Sequence, residues 1–411
     1  MPPIIELFEM RIFNLRSEES DDIVTLSATI ESKKIGTKDV WFAIQKKYSD
    51  YLCTTRMDAF VVGLLYPAMQ YGEDISVEGC VSKKLLFNIN NYVIPLLMSY
   101  SDTAKKITVS AFDVSSEKFT GKGVGTGFSG GVDSFSTVYD LYENEVDPEM
   151  KINTFLFLNV GSHGTNPETS KTLFEKRYSL LEGFPKEVGL DFIPLDSNLH
   201  QFHPWGHERV HTLTGVAGVL AMQNYFSKYY YSSSGLDYEG IIKNAHKYKG
   251  KAIGSFCDPI LLPLLSTETT EFILHGAAQT RIDKILNISS YEPTFRYLNV
   301  CVRETENCSV CWKCLRTQLA LDFSGNLDNY SSLFDKVKYK KLKPGYIYQQ
   351  VATKNSDPLS REIIKLADKN HIKLPGYFTS YSHFLLHYNY KNDIKKTIKT
   401  IAPNMVDKLK R

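Results

Sequence analysis

Cysteine is scarce in this 411-residue chain: seven in all, too few to staple a protein of that length, which excludes a disulfide scaffold. Long apolar runs are missing too. The longest, around residues 60–69 and 214–222, fall well short of the roughly 20 residues a membrane span needs, so no transmembrane helix and no membrane partner is expected. Neither charge is in surplus. The 48 Lys and Arg nearly balance 46 Asp and Glu, and 43% apolar with 23% charged residues excludes a disordered tail protein. The first residues turn acidic by Glu6 and lack a basic stretch followed by an apolar one, so a cytoplasmic location is expected.

The balance hides an asymmetry. Residues 331–411 hold 17 Lys and Arg against 6 Asp and Glu, a net +11, which leaves −9 for the rest. A basic tail on an acidic body suits an acidic partner, whether phosphate, RNA or protein, although lysine-rich helical faces are often merely solvated.

Residues 23–31 and 40–44 are β-rich around a turn at Gly36 and read as a hairpin. A helical pattern follows over Asp58–Tyr71, then strands at Ile75–Val77, Leu85–Asn88 and Ile107–Phe112, which makes an N-terminal α+β accessory domain over residues 1–118. From Val124 short β-rich runs (Val124–Phe128, Asn153–Asn159, Asp191–Leu195, Tyr229–Ser232, Phe295–Val300) alternate with helical stretches (Asp133–Glu143, Pro167–Glu182, Val210–Phe226). That alternation predicts an α/β domain over 119–325, a parallel sheet with helices on both faces and ligands at the carboxyl ends of its strands. Residues 326–411 are expected to be a basic helical region, with helices at Leu359–Asp368 and Tyr388–Lys399.

The stretch Ser129-Gly130-Gly131-Val132-Asp133-Ser134 leaves the first of those strands and opens a helix. Two glycines let backbone amides approach an anion, the helix start adds its positive end, and Ser129 and Ser134 bring hydroxyls: a nest for pyrophosphate. It is neither a Walker A loop nor a dinucleotide fingerprint, because the terminal Lys-Ser/Thr and the glycine spacing are absent.

Late in the chain Cys301, Cys308, Cys311 and Cys314 place four thiols within fourteen residues. Such a set suits a tetrahedral metal site that is closed and therefore structural; spacing alone leaves zinc and an iron–sulfur cluster both open.

Ser129–Ser134 resembles, residue for residue, the PP-loop of the N-type ATP pyrophosphatases, and with the cysteine set and Leu315-Arg316 the chain is similar to the 7-cyano-7-deazaguanine synthase (QueC-like) branch. The resemblance covers roughly residues 122–325. It implies a Rossmann-like (HUP) fold, ATP gripped by Ser129, Gly130, Gly131, Val132, Asp133 and Ser134, Asp133 positioning Mg2+ or the phosphates, and a structural Zn2+ on the four cysteines. The implied reaction is adenylation of a 7-carboxy-7-deazaguanine-like carboxylate, with transfer to ammonia to give an amide and then a nitrile. The cysteine spacing is shorter than in the synthases, and their Tyr-Pro-Asp-Cys-Arg loop survives only loosely as Phe256-Cys257-Asp258-Pro259. Neither end of the chain has a counterpart in the minimal synthase. Relatives with extra domains occur in bacterial antiviral operons, where the acceptor is a protein amine, and this chain looks more like those.

Arg281 and Lys284 stand one helical turn apart and offer two cations for charge developing at a phosphate, or equally a solvated helix face; the resemblance favours Lys284. Asp237, after Ser232-Ser233-Ser234-Gly235-Leu236, and Asp258 are candidate acceptors for guanine-like N–H groups, or ordinary turn residues. His203, His207 and His211 recur every fourth residue, but Pro204 and Gly206 argue against one continuous helix, so substrate contact or capping is preferred to a second metal. A tRNA-modifying PP-loop enzyme gripping RNA with its tail, and a non-catalytic nucleotide-binding scaffold in a defence system, are the alternative functions. Deleting residues 331–411 is expected to reduce transfer to a macromolecular acceptor while sparing pyrophosphate release. Nothing fixes the oligomeric state, and a homodimer is compatible.

Overall fold

Three antiparallel strands lead the computed structural model, which describes residues 9–164, 166–245 and 254–374: β1 (Glu9–Ser20), β2 (Ile23–Ser32) and β3 (Gly36–Gln45). Val24, Leu26, Ala28 and Ile30 alternate into the core, and Gly36, at φ +79°, makes the left-handed step that the β2–β3 turn requires. The helix Asp58–Tyr71 covers that face, Phe60 meeting Phe42 edge-on at 5.4 Å, and ends at Gly72 with φ +75°. Gly63 lets this helix lie close to the His207–Leu220 helix, since a Cβ there would stand 2.9 Å from Leu199 and 3.4 Å from Ala217.

Seven further strands join the same sheet: β4 (Asp74–Ser82), β5 (Val109–Ser115), β6 (Gly123–Gly127), β7 (Thr154–Asn159), β8 (Asp191–Ser197), β9 (Phe226–Ser232) and β10 (Glu271–His275). The order is β10-β9-β6-β7-β8-β3-β2-β1-β4-β5. From β10 to β8 every pairing is parallel. The chain runs outward from β6 to β7 and β8, then returns to β9 and β10 on the other side, so the winding reverses at β6, the strand from which the glycine loop departs. Its glycines have a packing reason: a Cβ on Gly123 or Gly125 would lie 2.5 Å from the ring of Tyr225 or Phe226. The α/β class with a large, mostly parallel sheet is thus what the alternation predicts.

The chain divides into two compact units, one of Met1–Phe128, Asp140–Ser234 and Ile241–His275, the other of Ser129–Tyr139, Gly235–Gly240 and Gly276–Arg411. The grouping differs from a division at 118 and 325 because β3 pairs antiparallel with β8 (Phe42↔Ser197, Ala43↔Asp196), which puts the N-terminal strands into the same sheet as the parallel ones. All ten strands belong to the first unit.

Two expected strands are helices. Residues 83–88 turn helical because the Ser82 hydroxyl caps the Leu85 N–H, and residues 294–297 do so behind Pro293, whose φ of −56° and ψ of −31° set the first turn. Strands β1 and β10 were not expected. The helix expected at Tyr388–Lys399 lies outside the described residues, whereas Leu359–Asp368 falls in a helix, Pro358–Lys369. Among the described residues no helix is long and apolar enough to cross a membrane.

In the second unit the described part of the basic tail is core. Its helices Lys336–Thr353 and Pro358–Lys369, capped by Asp335 and Asp357, bury Tyr339, Tyr346, Ile347, Ile363 and Leu366 and keep Lys338, Lys340 and Lys341 at the surface. Each buried aromatic or aliphatic side chain is worth roughly 1.5–3 kcal/mol. Deletion of residues 331–411 is therefore not selective: it is expected to lower the melting temperature by ~10 °C or more, read by circular dichroism, before any effect on a partner can be measured.

Candidate active site and metal centre

The glycine loop, the Arg281–Ile288 helix and the cysteine set all lie in the second unit. Gly130 adopts φ +68°, and Gly131 opens the Val132–Val138 helix with extended backbone and no side-chain cap. The Ser134 hydroxyl donates to the Gly131 carbonyl at 3.0 Å and stands 3.3 Å from that of Ser129, an exposed residue. The loop turn is thus held from within, and Ser129 lies at its exposed side.

Thr280 and Asp283 form a capping box at the start of the Arg281–Ile288 helix, and the i, i+3 spacing places Arg281 and Lys284 on one face. Both reach Asp133: Arg281 Nη2 bonds Oδ2 at 2.7 Å and Lys284 Nζ bonds Oδ1 at 3.2 Å. Lys284 is only 1% exposed. Two cations thus converge on one carboxylate beside the loop. Gly235, at φ +81°, carries the Arg281 guanidinium directly on its backbone; a Cβ there would lie 3.0 Å from Nε. Gly235 therefore contributes a seat for Arg281.

Asp237 spends an oxygen on its own turn, accepting from the Gly240 N–H at 2.7 Å. A carboxyl not anticipated from the sequence stands nearby: Glu362, from the tail helix Pro358–Lys369, accepts from the Ile282 N–H at 3.2 Å. Burial pushes it up to about 7, assisted by the negative charge of Asp237 and opposed by the Ile282 amide and by Arg316 and Arg281. No local sequence signal singles out this glutamate.

The four cysteine sulfurs lie within 4.8 Å of one another, with Cys301 and Cys311 Sγ 4.0 Å apart, close to the separation of two thiolates on one tetrahedral ion. Amides aim at the sulfurs: Arg303 and Glu304 N–H at Cys301, Cys311 N–H at Cys308, Cys314 N–H at Cys311, from 3.3 to 3.5 Å. The Cys314 thiol and amide hold Cys311 far below the ordinary thiol range, at about 4. Ser309 takes φ +65° in the turn between Cys308 and Cys311 and is fixed by Asp335 N–H on its hydroxyl (2.8 Å) and Gln318 on its carbonyl (3.0 Å). The donor set fits one metal ion.

The remaining candidates belong to the first unit. Asp258, 1% exposed, accepts from the Thr212 hydroxyl at 2.6 Å, and burial lifts it to about 7. His207 begins its helix and His211 follows one turn later, ring centres 5.8 Å apart; His203 lies before the helix and its Nε2–H donates to the Gly63 carbonyl at 2.8 Å. His211 Nδ1 lies 2.8 Å from the Tyr231 hydroxyl. His203 is buried and His207 and His211 are half-buried, and among the described residues only the cysteines group three or more donor atoms for a metal.

Comparison with protein-family models, with curated proteins and with solved structures finds no match for this chain.

Proposed function

We propose that this chain is an ATP-dependent PP-loop enzyme of the QueC-like kind, which adenylates a carboxylate, releases pyrophosphate and passes the acyl group to an amine. The observation that carries the reading is Asp133 of the glycine loop bound by both Arg281 and Lys284 beside the exposed Ser129. A turn of glycine amides and serine hydroxyls, with two cations converging on its Asp133, suits a polyphosphate. The reversal of winding at β6 supports a Rossmann-like, HUP-type sheet.

The chemistry follows from the carboxylate being a poor electrophile. Its oxygen attacks the α-phosphorus of ATP, the bond to pyrophosphate breaks, and the amine nitrogen then attacks the acyl carbon as AMP leaves and the nitrogen gives up a proton. Ser129, Ser134 and the loop amides hold the outer phosphates, and Arg281 and Lys284 offset charge on the departing pyrophosphate. A deazaguanine carboxylate is the acyl donor and ammonia or a macromolecular amine the acceptor. Each oxygen of Asp133 accepts from one cation, and Mg2+ would arrive on the nucleotide's own phosphates with Asp133 beside it. Zinc on Cys301, Cys308, Cys311 and Cys314 would supply structure and no open coordination position, so none of these four would serve as nucleophile.

Ser129→Ala is the discriminating variant because the side chain is exposed. It is expected to cut ATP-dependent pyrophosphate release at least tenfold with an unchanged melting temperature. Wild-type release from that variant would sink the assignment. Asp133→Ala is expected to lose both activity and stability, since it takes a carboxylate away from the buried Lys284.

A further inference from the structure

Asn299 touches both the glycine loop and the cysteine site. Its backbone N–H donates to the Gly130 carbonyl at 2.7 Å. Its side-chain oxygen accepts from the Cys301 N–H at 3.2 Å, and its side-chain amide donates to the Thr305 carbonyl at 2.5 Å. Gly130 is the loop residue in the left-handed region, so whatever holds its carbonyl also fixes where the following loop amides point. Asn307 repeats the clamp, donating to Leu298 O at 2.7 Å and accepting from Val300 N–H at 2.9 Å, with the Cys314 sulfur 3.9 Å from its oxygen. Residues 298–308 form neither helix nor strand. Their shape rests on these two asparagines and on the cysteines they carry. From the other end of the knuckle Lys313, between Cys311 and Cys314 in the chain, lies within electrostatic reach of Asp133, Arg281 and Arg316.

We infer that metal bound at Cys301, Cys308, Cys311 and Cys314 sets the affinity of the glycine loop for polyphosphate, with Asn299 as the positioning residue between the two. The inference rests on the polyphosphate reading of the loop. Metal ties down the 298–308 segment, the segment holds the Gly130 carbonyl through Asn299, and the loop then meets its anion already shaped rather than ordering on contact. Coupling of two binding events is reciprocal, so the anion must tighten the metal by the same factor as the metal tightens the anion.

The test uses the full chain with zinc, ATP and inorganic pyrophosphate as probes. Calorimetry on zinc-loaded and chelator-stripped protein is expected to give at least a tenfold weaker anion Kd without zinc. Saturating pyrophosphate is expected to shift the equilibrium of zinc transfer to a chromogenic chelator toward the protein by a similar factor, and Asn299→Ala to abolish that protection while still binding one zinc. A purely structural asparagine would leave the protection in place. Equal anion affinities with and without zinc, or zinc transfer indifferent to pyrophosphate, would overturn the coupling and leave the polyphosphate reading standing. Failure of zinc-loaded protein to bind either anion would remove both. Where stripped protein unfolds, the transfer measurement on native protein decides.

Discussion

Cys311→Ser is expected to release one equivalent of zinc per chain and to lower the melting temperature by ~10 °C or more. Cys311 is fully buried, caps the Trp312–Phe323 helix through the Cys314 N–H, and lies 4.0 Å from the Cys301 sulfur. Structural zinc sites return on the order of 10 kcal/mol to folding, and a serine in place of one thiolate forfeits a large share of that. The loss spreads because the Ser309 turn is bonded to Asp335, the cap of the Lys336–Thr353 helix, and to Gln318 within the Trp312–Phe323 helix. Elemental analysis of wild type and variant, with melting followed by circular dichroism, checks both parts. Iron with a visible charge-transfer band would replace zinc by an iron–sulfur cluster, and a metal-free wild type would remove the site altogether.

What the sequence made legible was local. The Asp58–Tyr71 helix and the Gly36 hairpin declare themselves by period and punctuation, and the glycine loop and cysteine set are contiguous, so their residue types and spacing are visible without a fold. Strand β1 escaped notice because only Met10 and Ile12 of its inward positions are fully buried, the rest of Glu9–Ser20 being polar and more exposed. Residues 85–88 misled for a different reason: their composition is β-like, but the hydroxyl of Ser82 satisfies the amide that a strand would have spent on a neighbour. In the site, the spacing of Arg281 and Lys284 announced a shared face. Their common partner, Asp133, stands 148 residues from Arg281, and no periodicity carries that distance. Glu362 reaches Ile282 across 80 residues, and Asn299 joins the loop through its backbone, which no side-chain pattern records. Such pairings arise only once helices from distant parts of the chain are packed together.

Stability is expected to fall as the solution is acidified from pH 7 toward pH 4.5, and five buried or half-buried histidines of the first unit are the cause. Burial lowers His163, His203 and His207 to about 4 and His211 to about 3, and lowers His200 as well. Unfolded, each binds its proton near pH 6.5; folded, His163, His203, His207 and His211 stay neutral to a much lower pH and His200 is lowered as well. In that window the unfolded chain therefore holds more protons, and each such group tilts the balance by up to about 1.4 kcal/mol per pH unit. Carboxyls act in the opposite direction. Burial raises Asp58 to about 6, Asp258 to about 7 and Glu362 to about 7, so these three take up protons in the folded state first and stabilise it on acidification. Five histidines against three carboxyls leave the histidines ahead, with a net slope well below their sum. His207→Gln, at a position whose Nδ1 is buried without a partner, should flatten the slope by about one proton, and Asp258→Asn should steepen it. Urea midpoints of the three proteins between pH 7.5 and 4.5 measure this directly, and a wild-type midpoint that stays level or rises on acidification would show that these histidines do not remain neutral in the folded protein.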